Sequence, residues 1–333
     1  MKWHYPSSSL SSTNPVWDFE TAYLPLTGGE IVALRIKDGQ LMWKTDVGGD
    51  VAIESSINKG SLYVANEVQD ALGEGSKESG FFLRSLSSSS GVVRWLHELP
   101  QAAQHISNSN ASMLFVVSLN SMIVSVDKKT GQVNWSSQQP SQIVSAPIYL
   151  NNSLYLALED GEIVALRQED GVPSIRYRTP GHVATALLAP DGSIYLGTAE
   201  GYVTALADAG DTFRIIWRRR VGTGIQSLRQ TSQGLLVVSR DNSVTFLKRQ
   251  NGKRLWKRHL PDRLAAQPLL QEDAGLFAPV GENVCIVLSL RDGKQVNTLY
   301  LGENNSLIAT PLIAGDYLLV PTRLGLLAFT ASG

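Results

Sequence analysis

The chain has 333 residues, 43% of them hydrophobic and 18% charged, with a formal net charge of −1. That is enough apolar material for a globular core, and the near-zero charge gives no overall pull toward nucleic acid or an anionic membrane surface. No apolar run approaches the ~18 residues of a spanning helix, and the one cysteine, Cys285, excludes an intrachain disulfide.

In chain order the first element is a short strand at Lys2–Tyr5, carrying Trp3. The first full unit follows: an apolar strand, a turn ending in glycine, and a tryptophan four residues on, in IVALRIKDGQLMW (Ile31–Trp43). The unit returns as IVSVDKKTGQVNW (Ile123–Trp135) and VTFLKRQNGKRLW (Val244–Trp256). The string EIVALR occurs twice, at Glu30–Arg35 and Glu162–Arg167. Turn positions fall at Gly39, Gly91, Gly131, Gly171, Asp211, Gly252, Gly293 and Gly333, separated by 52, 40, 40, 40, 41, 41 and 40 residues. A period near forty signals a repeat architecture. One insertion, EVQDALGEGSKESG at 67–80, accounts for the single long step.

Each repeat reads as four short strands joined by tight turns. In the fourth repeat they are expected at Gln142–Ile148, Ser153–Leu158, Glu162–Arg167 and Val172–Arg178. No segment sustains a helical period. The tryptophan position is filled by Trp43, Trp95, Trp135, Tyr177, Trp217, Trp256 and Leu299. Trp3 holds the same position with no turn before it, while the last turn, Gly333, has no tryptophan after it. The spare N-terminal strand therefore supplies the strand missing at the C-terminus. The expected fold is all-β: an eight-bladed β-propeller of four-stranded antiparallel blades, its ring closed by the N-terminal strand joining the C-terminal blade. Residues 1–333 form one domain on this reading, with an insertion loop at 67–80 in the second blade. A linear solenoid is the alternative, but it would carry capping repeats instead of a split one. With Lys2–Tyr5 already in the closing strand, no signal peptide is expected in this chain.

The unit of apolar strand, glycine turn and tryptophan resembles the PQQ-type β-propeller repeat. That repeat occurs in pyrroloquinoline-quinone alcohol dehydrogenases and in the propeller lipoprotein of the bacterial outer-membrane β-barrel assembly machine. The resemblance covers the whole chain. It implies that Trp3, Trp43, Trp95, Trp135, Trp217 and Trp256 dock against the turn of a neighbouring blade, and that docking is weaker at Tyr177 and Leu299. The quinoenzymes need an adjacent cysteine pair and a calcium–carboxylate site. With a single cysteine here, the resemblance supports the repeat and argues against the cofactor. Ser227-Leu228-Arg229 resembles an SLR string in a loop of the assembly lipoprotein that helps contact the barrel subunit.

No constellation in the chain carries chemistry. His4, His97, His105, His182 and His259 lack the spacing of a metal pair. There is no HExxH, Walker loop, GxGxxG, GxSxG or DxDxDG. Asp38, Asp127, Asp170 and Asp292 sit at the turns, where aspartate caps its own backbone amides. No catalytic, cofactor-binding or metal residue is assigned, and the chain is expected not to be an enzyme.

Function is sought in what departs from the repeat. The insertion carries Glu67, Asp70, Glu74 and Glu78 against Lys77, and reads as a solvated loop or a recognition loop. Between Arg214 and Arg263 lie 13 of the 29 basic residues against two acids, Asp241 and Asp262, a local charge near +11. Arg218, Arg219, Arg220, Lys253, Arg254, Lys257 and Arg258 fall on expected outer strands of the fifth and sixth blades, and Arg229 on an inner one. Edge lysine and arginine guard against edge-to-edge aggregation; contact with an acidic partner is the competing reading. His105, His182 and Arg263 are candidates for the channel mouth. The leading expectation is a non-enzymatic, extracytoplasmic (periplasmic) interaction scaffold, monomeric, whose partners are proteins, including outer-membrane assembly components. Nucleic acid is not among them, because no aromatic-interleaved basic groove accompanies the cluster. A sugar- or quinone-binding or enzymatic propeller, and a sensor domain of a larger receptor, stay open.

Overall fold

The structure is a computed structural model, and it describes residues 1–9, 13–51, 53–68, 80–108, 110–150, 152–188, 192–210 and 212–330. Contacts divide the chain into two compact units, Met1–Ser136 with Leu301–Gly333, and Ser137–Tyr300.

The first unit opens with the blade Val16–Asp18, Thr21–Pro25, Glu30–Arg35 and Leu41–Asp46. The second blade is Ser56–Asn58, Ser61–Val68, Gly80–Ser87 and Val93–Leu99, and the third begins with Ala103–Ser107, Met113–Ser118 and Met122–Asp127 and ends in Val133–Gln138. The blade nearest the C-terminus consists of Leu312–Ala314, Tyr317–Thr322, Gly325–Thr330 and the N-terminal Trp3–Pro6. Its last pairing runs Trp3↔Ala328, His4↔Leu327, Tyr5↔Leu326 and Pro6↔Gly325, so the chain's start completes the sheet begun at its end.

The second unit holds the fourth to seventh blades. The fourth is Ile148–Leu150, Ser153–Ala157, Glu162–Arg167 and Pro173–Arg178, and the fifth is Val183–Leu188, Ile194–Thr198, Tyr202–Asp208 and Phe213–Arg220. The sixth is Ile225–Gln230, Leu235–Ser239, Ser243–Leu247 and Arg254–His259, and the seventh is Leu269–Leu270, Ala274–Phe277, Val284–Ser289 and Gln295–Tyr300. Every sheet is antiparallel, with consecutive strands adjacent, and the described residues contain no helix. The architecture is an eight-bladed β-propeller closed by its N-terminal strand.

Sequence dictates the layering. The third strand of a blade is a continuous apolar run because neighbouring blades cover both its faces. Ile31, Val32, Ala33 and Leu34 are accordingly fully buried. Cores form between consecutive blades: Leu24, Val32 and Leu34 of the first blade meet Leu319, Leu326 and Ala328 of the closing one. Outer strands have one neighbour and alternate instead, as in Leu41–Asp46. A bulge recurs where third strand meets outer strand, for example between Ala33 and Leu34 and between Phe246 and Leu247, which increases the local twist.

The fourth blade departs from expectation at its inner strand. Residues 142–147 carry only the isolated bridge Ile143↔Leu158, and regular pairing begins at Ile148. Around Ile143 the segment is tied to the second strand by Val144 N donating to Ala157 O at 3.0 Å and Gln142 O accepting from Glu159 N at 2.8 Å, but Pro147 has no N–H to continue the ladder up to Ile148. In the second blade, Ser61–Val68 and Gly80–Ser87 are eight residues each and pair from Ser61↔Ser87 to Val68↔Gly80. The insertion thus stands on an extended hairpin.

Candidate functional site

The outer strands of the fifth and sixth blades carry the basic cluster, and docked indoles set their faces. In Phe213–Arg220, Trp217 points inward and its Nε1 donates to Arg249 O at 2.6 Å. In Arg254–His259, Trp256 Nε1 donates to Leu290 O at 2.7 Å. Period-2 alternation then places Arg219 on the side of Trp217, and Arg258 on the side of Trp256. Arg258 spans to the next blade's turn, donating from Nε to Gly293 O at 2.9 Å and from Nη2 to Asp292 O at 3.1 Å. Arg219 lies over the equivalent turn glycine, Gly252.

Several of the basic groups are thus engaged within the fold, Arg219 among them through Nη1 donating to Arg218 O at 3.3 Å. Besides Arg258, the Arg218 guanidinium sits 3.9 Å above the Tyr202 ring, and Lys257 Nζ lies 3.4 Å from Asp241 Oδ2. Arg219, Arg220, Lys253 and Arg254 are exposed and come together around one cleft of about 360 Å³, lined also by Val221, Thr245, Leu247 and Gly252. No carboxylate is among those lining residues, and the buried Thr245 hydroxyl in its wall makes no hydrogen bond. The cleft can accept an anionic group: four cations on exposed rims attract it, and the wall supplies a hydroxyl.

The other sequence-derived positions lie elsewhere. Arg229 is half-buried on the inner strand Ile225–Gln230, at the opposite edge of the sixth sheet from Arg254–His259. Glu67 lies one residue before the end of the extended strand, opposite Phe81, with its amide donating to Asp50 O at 3.0 Å. Asp70, Glu74 and Glu78 lie outside the described residues. His105 is half-buried on the inner strand Ala103–Ser107, and burial pushes its imidazole below the usual range. His182 is exposed, with Nδ1 3.1 Å from Glu200 Oε1. Partial burial raises the Glu200 carboxyl, but hydrogen bonds led by that from His182 outweigh it and bring it to about 2. Arg263 is exposed, and its amide donates to Asp262 Oδ1 at 2.6 Å. None of these three lines the basic cleft.

The SLR resemblance does not mark a surface loop. Ser227-Leu228-Arg229 forms regular strand, and Leu228 is buried against Trp217, Ile225 and Val237. A three-residue string carries no information about burial, which the surrounding apolar pattern decides. Thr245 and Leu247 of the cleft wall were not singled out, because in sequence they belong to a repeated apolar strand.

Among the described residues no group of three or more His, Cys, Asp and Glu side chains is placed to hold a metal ion. Cys285 is fully buried, and desolvation pushes its thiol up to about 12. A lone buried thiol does not fit a quinone site built on a cysteine pair. No described helix is long and apolar enough to cross a membrane.

The chain matches the family model described as outer membrane protein assembly factor BamB, over residues 2–71, 81–211 and 199–333. Among solved structures it is similar to BamB from Moraxella catarrhalis, at 16% identity, with 98% of this chain and 97% of that one covered and a TM-score of 0.75. Sqt1 of Saccharomyces cerevisiae superposes at a TM-score of 0.80 with 12% identity, over 99% of this chain and 98% of that one. The computationally designed Ika8 protein gives 0.78 with 11% identity, over 98% and 97%. Likeness at these identities establishes the fold. No curated protein sequence matches the chain.

Proposed function

From the premise that this chain belongs to the outer membrane protein assembly factor BamB family, we propose that it is a non-enzymatic scaffold of outer-membrane protein assembly, working in the periplasm by presenting surface to a protein partner. The partner proposed is the barrel subunit of the β-barrel assembly machine, and the contact is the basic edge of the fifth and sixth blades. One observation carries this placement: Arg219, Arg220, Lys253 and Arg254 line a single cleft without a lining carboxylate. Protection of an edge strand requires only a charge or two, whereas these four converge from two blades. Exposed charges of this kind govern encounter rate and salt dependence more than final affinity.

The test is capture from detergent-solubilised envelope of the source organism, with identification of bound proteins. The reading requires the barrel subunit among them, in an amount that falls as salt rises and falls further for the Arg219→Glu/Arg220→Glu/Lys253→Glu/Arg254→Glu variant. Absence of the barrel subunit from the wild-type capture overturns it. These four positions are chosen over Arg218 and Lys257, whose reversal would also break the contacts with Tyr202 and Asp241.

A further inference from the structure

A second cationic cleft lies in the other unit, between the second and third blades. It holds about 290 Å³ and is lined by Asn58, Lys59, Ser61, Tyr63, Arg94, Trp95, Ala111, Lys128 and Lys129. Lys59 and Lys129 are exposed at its rim. Lys59 adopts φ 44° in the turn before Ser61, a left-handed conformation uncommon for a residue other than glycine. Arg94 donates from Nη1 to Ser61 Oγ at 2.6 Å. Lys128 is the unusual member. It is only 8% exposed, and its ammonium donates to two backbone carbonyls, Asn108 O at 3.0 Å and Asn110 O at 2.5 Å. An ammonium has three N–H donors, so one remains.

Carbonyls satisfy hydrogen bonds but do not neutralise charge. No carboxylate is among the lining residues. Asp127, next to Lys128 in the chain, keeps its charge but is held on its own turn, accepting from the amides of Lys129 at 2.9 Å and Thr130 at 2.8 Å, and it does not line the cleft. Burial, with repulsion from Lys59, pushes Lys128 down to about 8. A buried cation with no counter-charge carries an uncompensated desolvation cost, and such groups concentrate at sites that await a ligand. The missing component is an anion.

We infer that the cleft of Lys59, Arg94, Lys128 and Lys129 is a binding site for a phosphate-type oxyanion, a phosphomonoester or diphosphate group. A compact, multiply charged oxyanion accepts from Nζ of Lys128 and from the rim ammonium groups at once, and Arg94 suits such an acceptor because of its planar fork. The group can come from a soluble phosphate compound or from a lipid headgroup. This site is independent of the basic edge on the fifth and sixth blades.

The experiment titrates the full chain with pyrophosphate by calorimetry at low salt and pH 7. In parallel it measures cosedimentation with vesicles containing phosphatidic acid, a phosphomonoester lipid. The expected result is saturable binding in at least one arm; pyrophosphate heat marks a site open to soluble ligands, and vesicle binding alone marks a headgroup site. Lys128→Gln should weaken binding at least tenfold. Lys59→Gln/Lys129→Gln changes only exposed side chains and should do the same if the first variant misfolds. Binding should also fall between pH 7 and pH 9, as Lys128 loses its proton. The inference is overturned if neither probe binds, or if binding persists in the Lys59/Lys129 variant and disappears in the Arg219/Arg220/Lys253/Arg254 variant.

Discussion

Trp95 lies against Gly131 so closely that a Cβ there would come within 2.6 Å of the indole, and the glycine holds φ 75°. Indole and glycine presuppose one another: Gly39, Gly91, Gly252 and Gly293 meet Trp3, Trp43, Trp217 and Trp256 in the same way. In one repeat both partners change. Tyr177 stands in the indole position before Asp211, and its ring meets Phe213 edge-on at 5.8 Å. Trp256→Ala should therefore cost ~3–5 kcal/mol, as for loss of a large buried aromatic, and lower the melting temperature more than Tyr177→Ala; equal shifts would contradict this. Lys128 offers a pH test. Its folded value of about 8 lies below the ordinary 10.5, so between those values the unfolded chain holds more protons there. The stability contributed at this position must then rise with pH across that window. Urea denaturation at pH 8 and pH 10 should show wild type gaining relative to Lys128→Met, and an unchanged difference refutes the sign.

Elements differed in how legible they were. The third strands were readable almost to the residue, as with Glu162–Arg167, because burial on both faces demands an unbroken apolar run. The inner strand of the fourth blade was not, since the apolar Ile143 and Val144 read as strand while Pro147, which has no N–H to give a ladder, interrupts the pairing after them. The basic edge was visible because its charges are close in sequence. The second cleft was not, because Lys59, Arg94 and Lys128 are spread over three elements and the acidic insertion dilutes any count of local charge. The closing strand gives the prediction at this scale. Removing residues 1–6 eliminates the pairing with Gly325–Thr330 and the bond from Trp3 Nε1 to Ile36 O at 2.8 Å. It leaves an open sheet edge. The truncated chain should melt earlier and self-associate on size exclusion; an unchanged midpoint with a monomeric profile would contradict the closure's importance.

At the scale of the molecule, a net charge of −1 conceals a segment near +11. Screening acts over ~8 Å at physiological ionic strength, so this asymmetry is felt only close to the fifth and sixth blades. The docked indoles of Trp217 and Trp256 hold that surface in place without lining the cleft, whereas the sixth blade's third strand contributes Thr245 and Leu247 to its wall. The most direct measurement is the affinity of this chain for the proposed partner, the purified barrel subunit of the source organism's β-barrel assembly machine, across a salt series, beside the Arg219→Glu/Arg220→Glu/Lys253→Glu/Arg254→Glu variant with its melting temperature recorded. The account predicts a complex that weakens as salt rises, at least tenfold weaker binding by the variant, a flatter salt dependence for it, and a midpoint close to wild type. No complex, or a variant that binds with the same affinity and salt profile, would contradict it.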